Sequence, residues 1–221
     1  MDIHKNKYIL FGPGSMAEKH NHEFSKRNID MVAVYSPTII KNEYFSKLSR
    51  IDNMKHLDNI DFDFGVITSP NIFHYEHIEY LLKRNKPVFV EKPMVINLKQ
   101  FENLNKYYDL SNIFVSFNLR YLEQTNSLLQ TDFHNCQDLE IKWIKNLMPN
   151  NSWSLNKDLS GGGILIDWGI HAIDLLCYLF NEELKFKSIR FHEKENDIDL
   201  SFELKLKCEE RNINIQMSWI E

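Results

Sequence analysis

The chain has 221 residues, is 43% hydrophobic and 26% charged, and carries a net charge of −5 at pH 7. That is the balance of a globular chain long enough for one large domain or two small ones. Its charges are scattered in both signs and lean acidic, which argues against a nucleic-acid surface.

Cys136, Cys177 and Cys208 are odd in number, far apart and without a C-x-x-C spacing. Neither a disulfide framework nor a zinc knuckle is indicated, and reduced thiols of a cytoplasmic protein are expected. The apolar run Tyr8–Phe11 is too short for a signal-peptide core. The most hydrophobic stretch, Ile164–Phe180, holds two Asp and one His and is shorter than a usual membrane span, so it reads as a buried helix.

In chain order, Tyr8–Phe11 is a strand that runs into Gly12-Pro13-Gly14-Ser15-Met16-Ala17, followed by a helix to about Lys26. This is a G-x-G-x-x-A dinucleotide fingerprint. Gly12 permits the turn, Gly14 lets backbone approach a pyrophosphate, and Ala17 lets helix and strand pack closely. The helix N-terminus, with Ser15 and Met16, offers N–H groups to an anion. His20 and His22 are two residues apart and share no helix face, so they read as surface or packing residues.

Met31–Tyr35 is the second strand. At its end, where a carboxylate would grip the ribose, stands Ser36-Pro37-Thr38, with Lys41 nearby. A missing carboxylate and a nearby cation lean slightly toward NADP over NAD. Residues 40–63 read as a short helix and compact connections, and the part between Arg50 and Asp63 looks short for a full strand–helix unit. Phe64–Thr68 is a buried strand ending in Ser69-Pro70-Asn71, followed by a helix from about His74 to Arg84. Pro87–Val90 is a strand ending at Glu91-Lys92-Pro93. A helix at 98–109 and a sixth strand, Ile113–Phe117, close the first half. Alternating strands and helices imply a parallel sheet with ligands at the carboxyl ends of its strands. Gly12, Ser36, Ser69 and Lys92 all fall at such ends.

The second half changes period. Leu139, Ile141 and Trp143 alternate with polar residues, as do Ile198 to Cys208 and Ile213 to Trp219. These are one-sided antiparallel strands with a short turn between Cys208 and Asn212. A slip at Ser188 suggests a bulge. The stretch Gly161-Gly162-Gly163 to Asp174 then puts Asp167, His171 and Asp174 at i, i+4 and i+7, one stripe of a helix. Ionisable groups on an apolar helix are costly unless paired or used, so the stripe reads as half of an active site.

Together these motifs resemble the glucose-fructose oxidoreductase / inositol dehydrogenase family, Gfo/Idh/MocA. The residues that carry the resemblance are the glycine turn 12–17, Thr68-Ser69-Pro70-Asn71 with His74, Glu91-Lys92-Pro93, Asn118-x-Arg120, and Gly161-Gly162-Gly163 through Asp167, Gly169, His171 and Asp174. The resemblance implies an α/β chain. Residues 1–118 would be an NAD(P)-binding Rossmann domain with a parallel sheet. Residues 119–221 would be an α+β domain for substrate and oligomerisation, with an open, mostly antiparallel sheet.

It also implies NAD or NADP, and a sugar, cyclic polyol or nucleotide-sugar substrate. Lys92, Asp167 and His171 would be the catalytic group. Gly12, Gly14, Ser15, Met16, Ser36, Ser69, Pro70, Asn71, His74 and Glu91 would serve the cofactor, and Arg120, Trp153 and Lys157 the substrate. Family members usually continue beyond the last strand here. An uncovered apolar sheet would then favour a homo-oligomer.

The expected reaction moves a hydride between nicotinamide and a secondary alcohol or ketone. His171 takes the proton and Lys92 hydrogen-bonds the same oxygen and stabilises alkoxide character, with Lys92 as the alternative base. Asp167 orients His171 or binds a neighbouring hydroxyl. Two other readings stand beside this one: a catalytically impaired NAD(P)-binding regulatory relative, and a metal-dependent hydrolase with Asp167, His171 and Asp174 as ligands.

Overall fold

A computed structural model describes residues 5–38, 43–45, 48, 50–133, 136–149 and 153–220. The chain divides into two compact units, Met1–Ser116 and Phe117–Glu221.

The first unit is built on six strands: β1 Lys7–Phe11, β2 Asp30–Tyr35, β3 Arg50–Ile51, β4 Phe64–Ile67, β5 Val88–Val90 and β6 Ile113–Val115. They lie in the order β3-β2-β1-β4-β5-β6, and every pair is parallel. The connecting helices are α1 Ser15–Ser25, α2 His74–Leu82 and α3 Leu98–Tyr107. Tyr8, Ile9, Leu10 and Phe11 are fully buried. A central parallel strand is covered on both faces, so its sequence is a continuous apolar run rather than an alternation. The strand order reverses at β1, where neighbours diverge and a crevice opens at the carboxyl ends.

The part between Arg50 and Asp63 is short, as expected, and holds no full strand–helix unit. Among the described residues it carries the two-residue β3 and a 3₁₀ turn, Met54–Asn59, capped by the Asn53 side chain; the short helix expected from residue 40 onward lies partly outside the described residues.

The second unit holds α4 Glu123–Leu129, β7 Asp138–Ile144, α5 Lys157–Ser160, α6 Ile170–Phe180, β8 Lys185–Glu195, β9 Ile198–Cys208 and β10 Arg211–Ser218. Its sheet runs β7-β10-β9-β8. The β8/β9 and β9/β10 pairs are antiparallel, whereas β7 joins β10 in parallel. The sheet is therefore mixed, because the connection from β7 returns through the helices rather than a hairpin. The bulge expected at Ser188 is present, with the register shifting between Phe186 and Ser188.

Phe202, Leu204, Ile213, Ile215, Met217 and Trp219 form one apolar face, packed with Ile164, Ala172 and Leu176. Fully burying one such side chain contributes about 1.5–3 kcal/mol. The opposite face carries Glu203, Lys205, Asn212, Asn214 and Gln216, because strand side chains alternate. A shallow groove of about 390 Å³ there is lined by Ile144, His192, Ser201, Glu203, Gln216 and Ser218 among others. Helix residues cover one apolar side of the sheet, and on the other side polar side chains stand beside Ile144 and Ile220.

Between Lys157 and Phe180 the helical segments are together 24 residues long and apolar enough to cross a membrane. That is longer than the expected helix. Two features favour a core role. Gly161, at φ +79°, breaks the run directly after α5, and Ile164, Ala172 and Leu176 are buried against the sheet.

Candidate active site

The first cluster sits at the carboxyl ends of β2, β1, β4 and β5. Gly12 has φ +89°, and a Cβ there would fall 2.4 Å from the Ser69 backbone. Only glycine allows the β1 and β4 loops to approach so closely. The turn is stitched on both sides: Gly12 N–H donates to Tyr35 O at 3.1 Å, and Thr68 Oγ1 donates to Gly12 O at 2.5 Å. Gly14 is the N-cap of α1 and has no side chain with which to cap that end. A Cβ on Gly14 would meet nothing within 4 Å. Ser15 and Met16 stand exposed on this first turn. Unspent N–H groups, a helix dipole and open space beside them fit the pyrophosphate of a dinucleotide.

Ser36 is buried, and its Oγ donates to Thr38 O at 2.9 Å. Lys41, the cation expected near this strand end, lies outside the described residues. Another cation is present that sequence reading missed. Arg50 Nη1 donates to Ser36 O at 3.1 Å and Thr38 O at 3.3 Å, and Nη2 pairs with Asp52 at 3.2 Å.

Ser69 and Asn71 are buried at the end of β4. Ser69 Oγ lies 3.0 Å from His77 Nδ1. His74 is completely buried. Its Nδ1 lies 2.7 Å from Pro93 O and its Nε2 2.8 Å from Ser69 O. Its place is thus between the two strand-end loops, where the neutral ring has one N–H to donate to one of the two carbonyls. Burial lowers the His74 pKa, although both backbone carbonyls pull the other way. Burial also pushes the His77 imidazole down to about 3, helped by His74.

At the end of β5, Glu91 Oε1 is 2.6 Å from His20 Nε2, and the two side chains are only 12% and 18% exposed. Burial alone would raise the Glu91 carboxyl. The His20 hydrogen bond and the charges of His20 and Lys92 outweigh it and hold the group below its usual range. His20 also packs edge-on to Phe89, so its packing role includes a hydrogen-bond partner 71 residues away. No local pattern could signal that. Lys92 follows Glu91, half-buried and joined to the buried Pro93 by a cis peptide bond.

The second cluster lies in the other unit. Here the expected α-helical stripe is modified, because Leu165–Gly169 forms a π turn before α6 begins. Asp167 lies within that turn, so its phase to His171 is not that of an α-helix. Such turns are frequent at functional sites. His171 is half-buried, with Nδ1 inaccessible, and the Phe117 ring stands edge-on at 6.3 Å. Asp174 is 8% exposed and forked to Arg120, through Nε at 2.8 Å and through a second, shorter bond from Nη2. The guanidinium also lies over Phe117 and Tyr178. Arg120, expected to meet substrate, is held by this fork. With Asp174 committed to Arg120, the three side chains are not a ligand set. Among the described residues no group of three or more His, Cys, Asp or Glu could hold a metal. Trp153 is half-buried in a turn, and Lys157 is the exposed first residue of α5.

Two of the three glycines before this helix, Gly162 and Gly163, have a packing role that sequence did not show. A Cβ on Gly163 would fall 2.0 Å from Asp199 O. Asp199, on β9, accepts from Gly163 N–H and Leu165 N–H at 2.9 Å each. One buried carboxylate therefore caps the start of the helix and fixes it to the sheet.

A parallel sheet whose strand-end loops fit a dinucleotide, followed in sequence by a mixed sheet bearing one helical face, defines a nucleotide-binding protein of the Rossmann class. The oxidoreductase family with an NAD-binding Rossmann fold matches residues 6–118, and the GFO/IDH/MocA C-terminal domain matches residues 131–221. The chain belongs to the GFO/IDH/MocA family.

It is 29% identical over 197 residues to the glucose-6-phosphate 3-dehydrogenase of Bacillus subtilis (strain 168), covering 83% of this chain and 56% of that protein. It is 25% identical over 201 residues to the D-glucoside 3-dehydrogenase of Escherichia coli (strain K12), covering 78% and 53%. The structure of GenD2 from gentamicin A biosynthesis, in complex with NAD, superposes with a TM-score of 0.87 at 15% identity, covering 100% of this chain and 68% of that one. That likeness shows the fold. The chain spans about half the length of the curated relatives it matches.

Proposed function

We propose that the chain supplies the cofactor site and catalytic side chains of an NAD(P)-dependent oxidoreductase. The substrate is a secondary alcohol or ketone on a sugar, cyclic polyol or nucleotide-sugar. The observation that carries the reading is the N-terminus of α1, which Gly14 leaves without a side-chain cap of its own and with nothing within 4 Å of where a Cβ would stand, at the reversal of strand order. The two relatives named as 3-dehydrogenases of glucose derivatives support the substrate class. The impaired regulatory relative finds no support among them.

Bound at the strand ends, the cofactor supplies the hydride chemistry. Gly12, Gly14, Ser15 and Met16 hold its pyrophosphate by backbone. Ser36, Ser69, Pro70 and Asn71 shape the crevice, and Glu91 fixes the β5 end through His20. Lys92 Nζ donates a hydrogen bond to the substrate oxygen and stabilises negative charge there. His171 exchanges the proton through Nε2, since Nδ1 is buried. Asp167 holds a neighbouring hydroxyl, and Trp153 and Lys157 complete the substrate side. The reading leans to NADP, because no carboxylate follows β2 at Ser36-Pro37-Thr38. It places the protein in the cytoplasm, away from membrane and nucleic acid, as a homo-oligomer through the open sheet face. Sedimentation as a monomer at micromolar concentration would remove that last element.

The test is a screen of sugars, inositols and nucleotide-sugars with both cofactors, read by nicotinamide absorbance. On any active substrate, Lys92→Ala and His171→Ala each lower kcat by roughly 10²–10⁴-fold while cofactor affinity is kept. Near-full turnover of either variant ends its assigned role.

A further inference from the structure

Arg50 has no part in the proposed reaction, yet it occupies a position where charge decides which nucleotide binds. It opens the two-residue β3, and its partner across the sheet is Val34 of β2. The side chain runs toward the carboxyl end of β2, where Nη1 donates to both Ser36 O and Thr38 O. Two carbonyl acceptors from one turn fix the guanidinium at that strand end. This is the end at which an acidic residue would take both ribose hydroxyls, and Ser36-Pro37-Thr38 offers none. Asp52 closes one edge of Arg50 at 3.2 Å, with 53% of its side chain exposed, against 33% for Arg50. An exposed pair of this kind contributes little. A phosphate monoester carries more charge than a carboxylate and accepts from the guanidinium fork in the same way. It can therefore displace Asp52 without disturbing the two carbonyl bonds.

We infer that Arg50 is a specificity-determining residue that binds the 2′-phosphate of NADP(H), with Asp52 as its stand-in partner when that phosphate is absent. The inference rests on the proposed nucleotide site and deepens it by assigning the cofactor.

The experiment is calorimetric titration of the full chain with NAD⁺, NADP⁺, 2′-AMP and 5′-AMP, so that binding is read without turnover. The wild type binds NADP⁺ more tightly than NAD⁺, and 2′-AMP measurably. Arg50→Gln keeps an amide to donate to Ser36 O and Thr38 O but removes the charge. It weakens NADP⁺ and 2′-AMP by roughly ten- to a hundredfold and leaves NAD⁺ within about twofold. Asp52→Asn, which frees the guanidinium edge, tightens NADP⁺ severalfold. An unchanged NADP⁺/NAD⁺ ratio in Arg50→Gln overturns the inference. So does loss of NAD⁺ binding in Asp52→Asn, which would make Asp52 the acceptor for the ribose hydroxyls. Both results leave the nucleotide site standing. Binding of neither nucleotide to the wild type overturns the site itself and this assignment with it.

Discussion

The chain has two glycine-rich stretches, one in each unit, and they do opposite things. At 12–14 the loop is tight on one side only: Gly12 presses on the Ser69 backbone, while the space beyond Gly14 is empty of protein. At 162 and 163 the space is filled. Gly162 faces Ile166 Cγ1 at 2.7 Å, and Gly163 faces the Asp199 backbone at 2.0 Å. In the first case the missing side chain leaves room for a ligand. In the second it lets a helix start lie directly on a strand. Glycine spacing looks alike in both, and only what surrounds the absent Cβ tells a binding loop from a packing loop.

Gly163→Ala tests the contrast between the two loops most severely. Backbone on both sides cannot give way, so the substitution should destabilise the second unit by on the order of 4 kcal/mol, read as a lower urea midpoint. A loss under about 1 kcal/mol would mean the loop is slack and the contrast false. Asp199→Ala comes next. It strands one buried and one part-buried N–H group at the helix start and should cost about 2–3 kcal/mol; Asp199→Asn, which keeps one acceptor oxygen, should cost less.

A third effect belongs to the floor of the first loop, where His77 meets Ser69. Its imidazole is near 3 when folded and near the ordinary 6.5 when unfolded, so below pH 6.5 the unfolded chain binds the extra proton. The stability due to neutral His77 is complete above that pH and drains away as the pH falls toward 3. Unfolding free energy should drop by roughly 1 kcal/mol per unit between about pH 6 and 4. His77→Gln should flatten that slope, and an unaltered slope would show that the ring is already charged in the fold. Gly14→Ala is the smallest in stability and the most telling. With nothing to strike, it should unfold within about 0.5 kcal/mol of the wild type yet lose nucleotide affinity. A stable variant that still binds NAD⁺ and NADP⁺ normally would empty the first loop of its function.

Periodicity and punctuation carried much of this architecture. The buried run at β1, the G-x-G-x-x-A turn after it and the two-residue alternation of β9 and β10 each come from local chemistry, and so did the bulge at Ser188. Less local features were out of reach. His20 gains meaning only through Glu91, and Asp174 through Arg120, each pair more than fifty residues apart in sequence. The π turn at Leu165–Gly169 shifts Asp167 out of the phase that a 3.6-residue repeat assigns, and no residue type marks it. The parallel placement of β7 beside β10 also escaped, because alternation fixes which face a residue takes and not the direction of the neighbouring strand.

By itself, then, the amino-acid sequence determined the order of elements, the faces they bury and the family the chain belongs to. All of these rest on periodicity and on side chains close together along the backbone. The tertiary structure alone decided which polar groups are spent and which remain for chemistry. It placed His74 between the loops, put Arg50 at the end of β2 and bound the third glycine to Asp199, because pairing across a fold depends on distances in space that spacing along a chain does not encode.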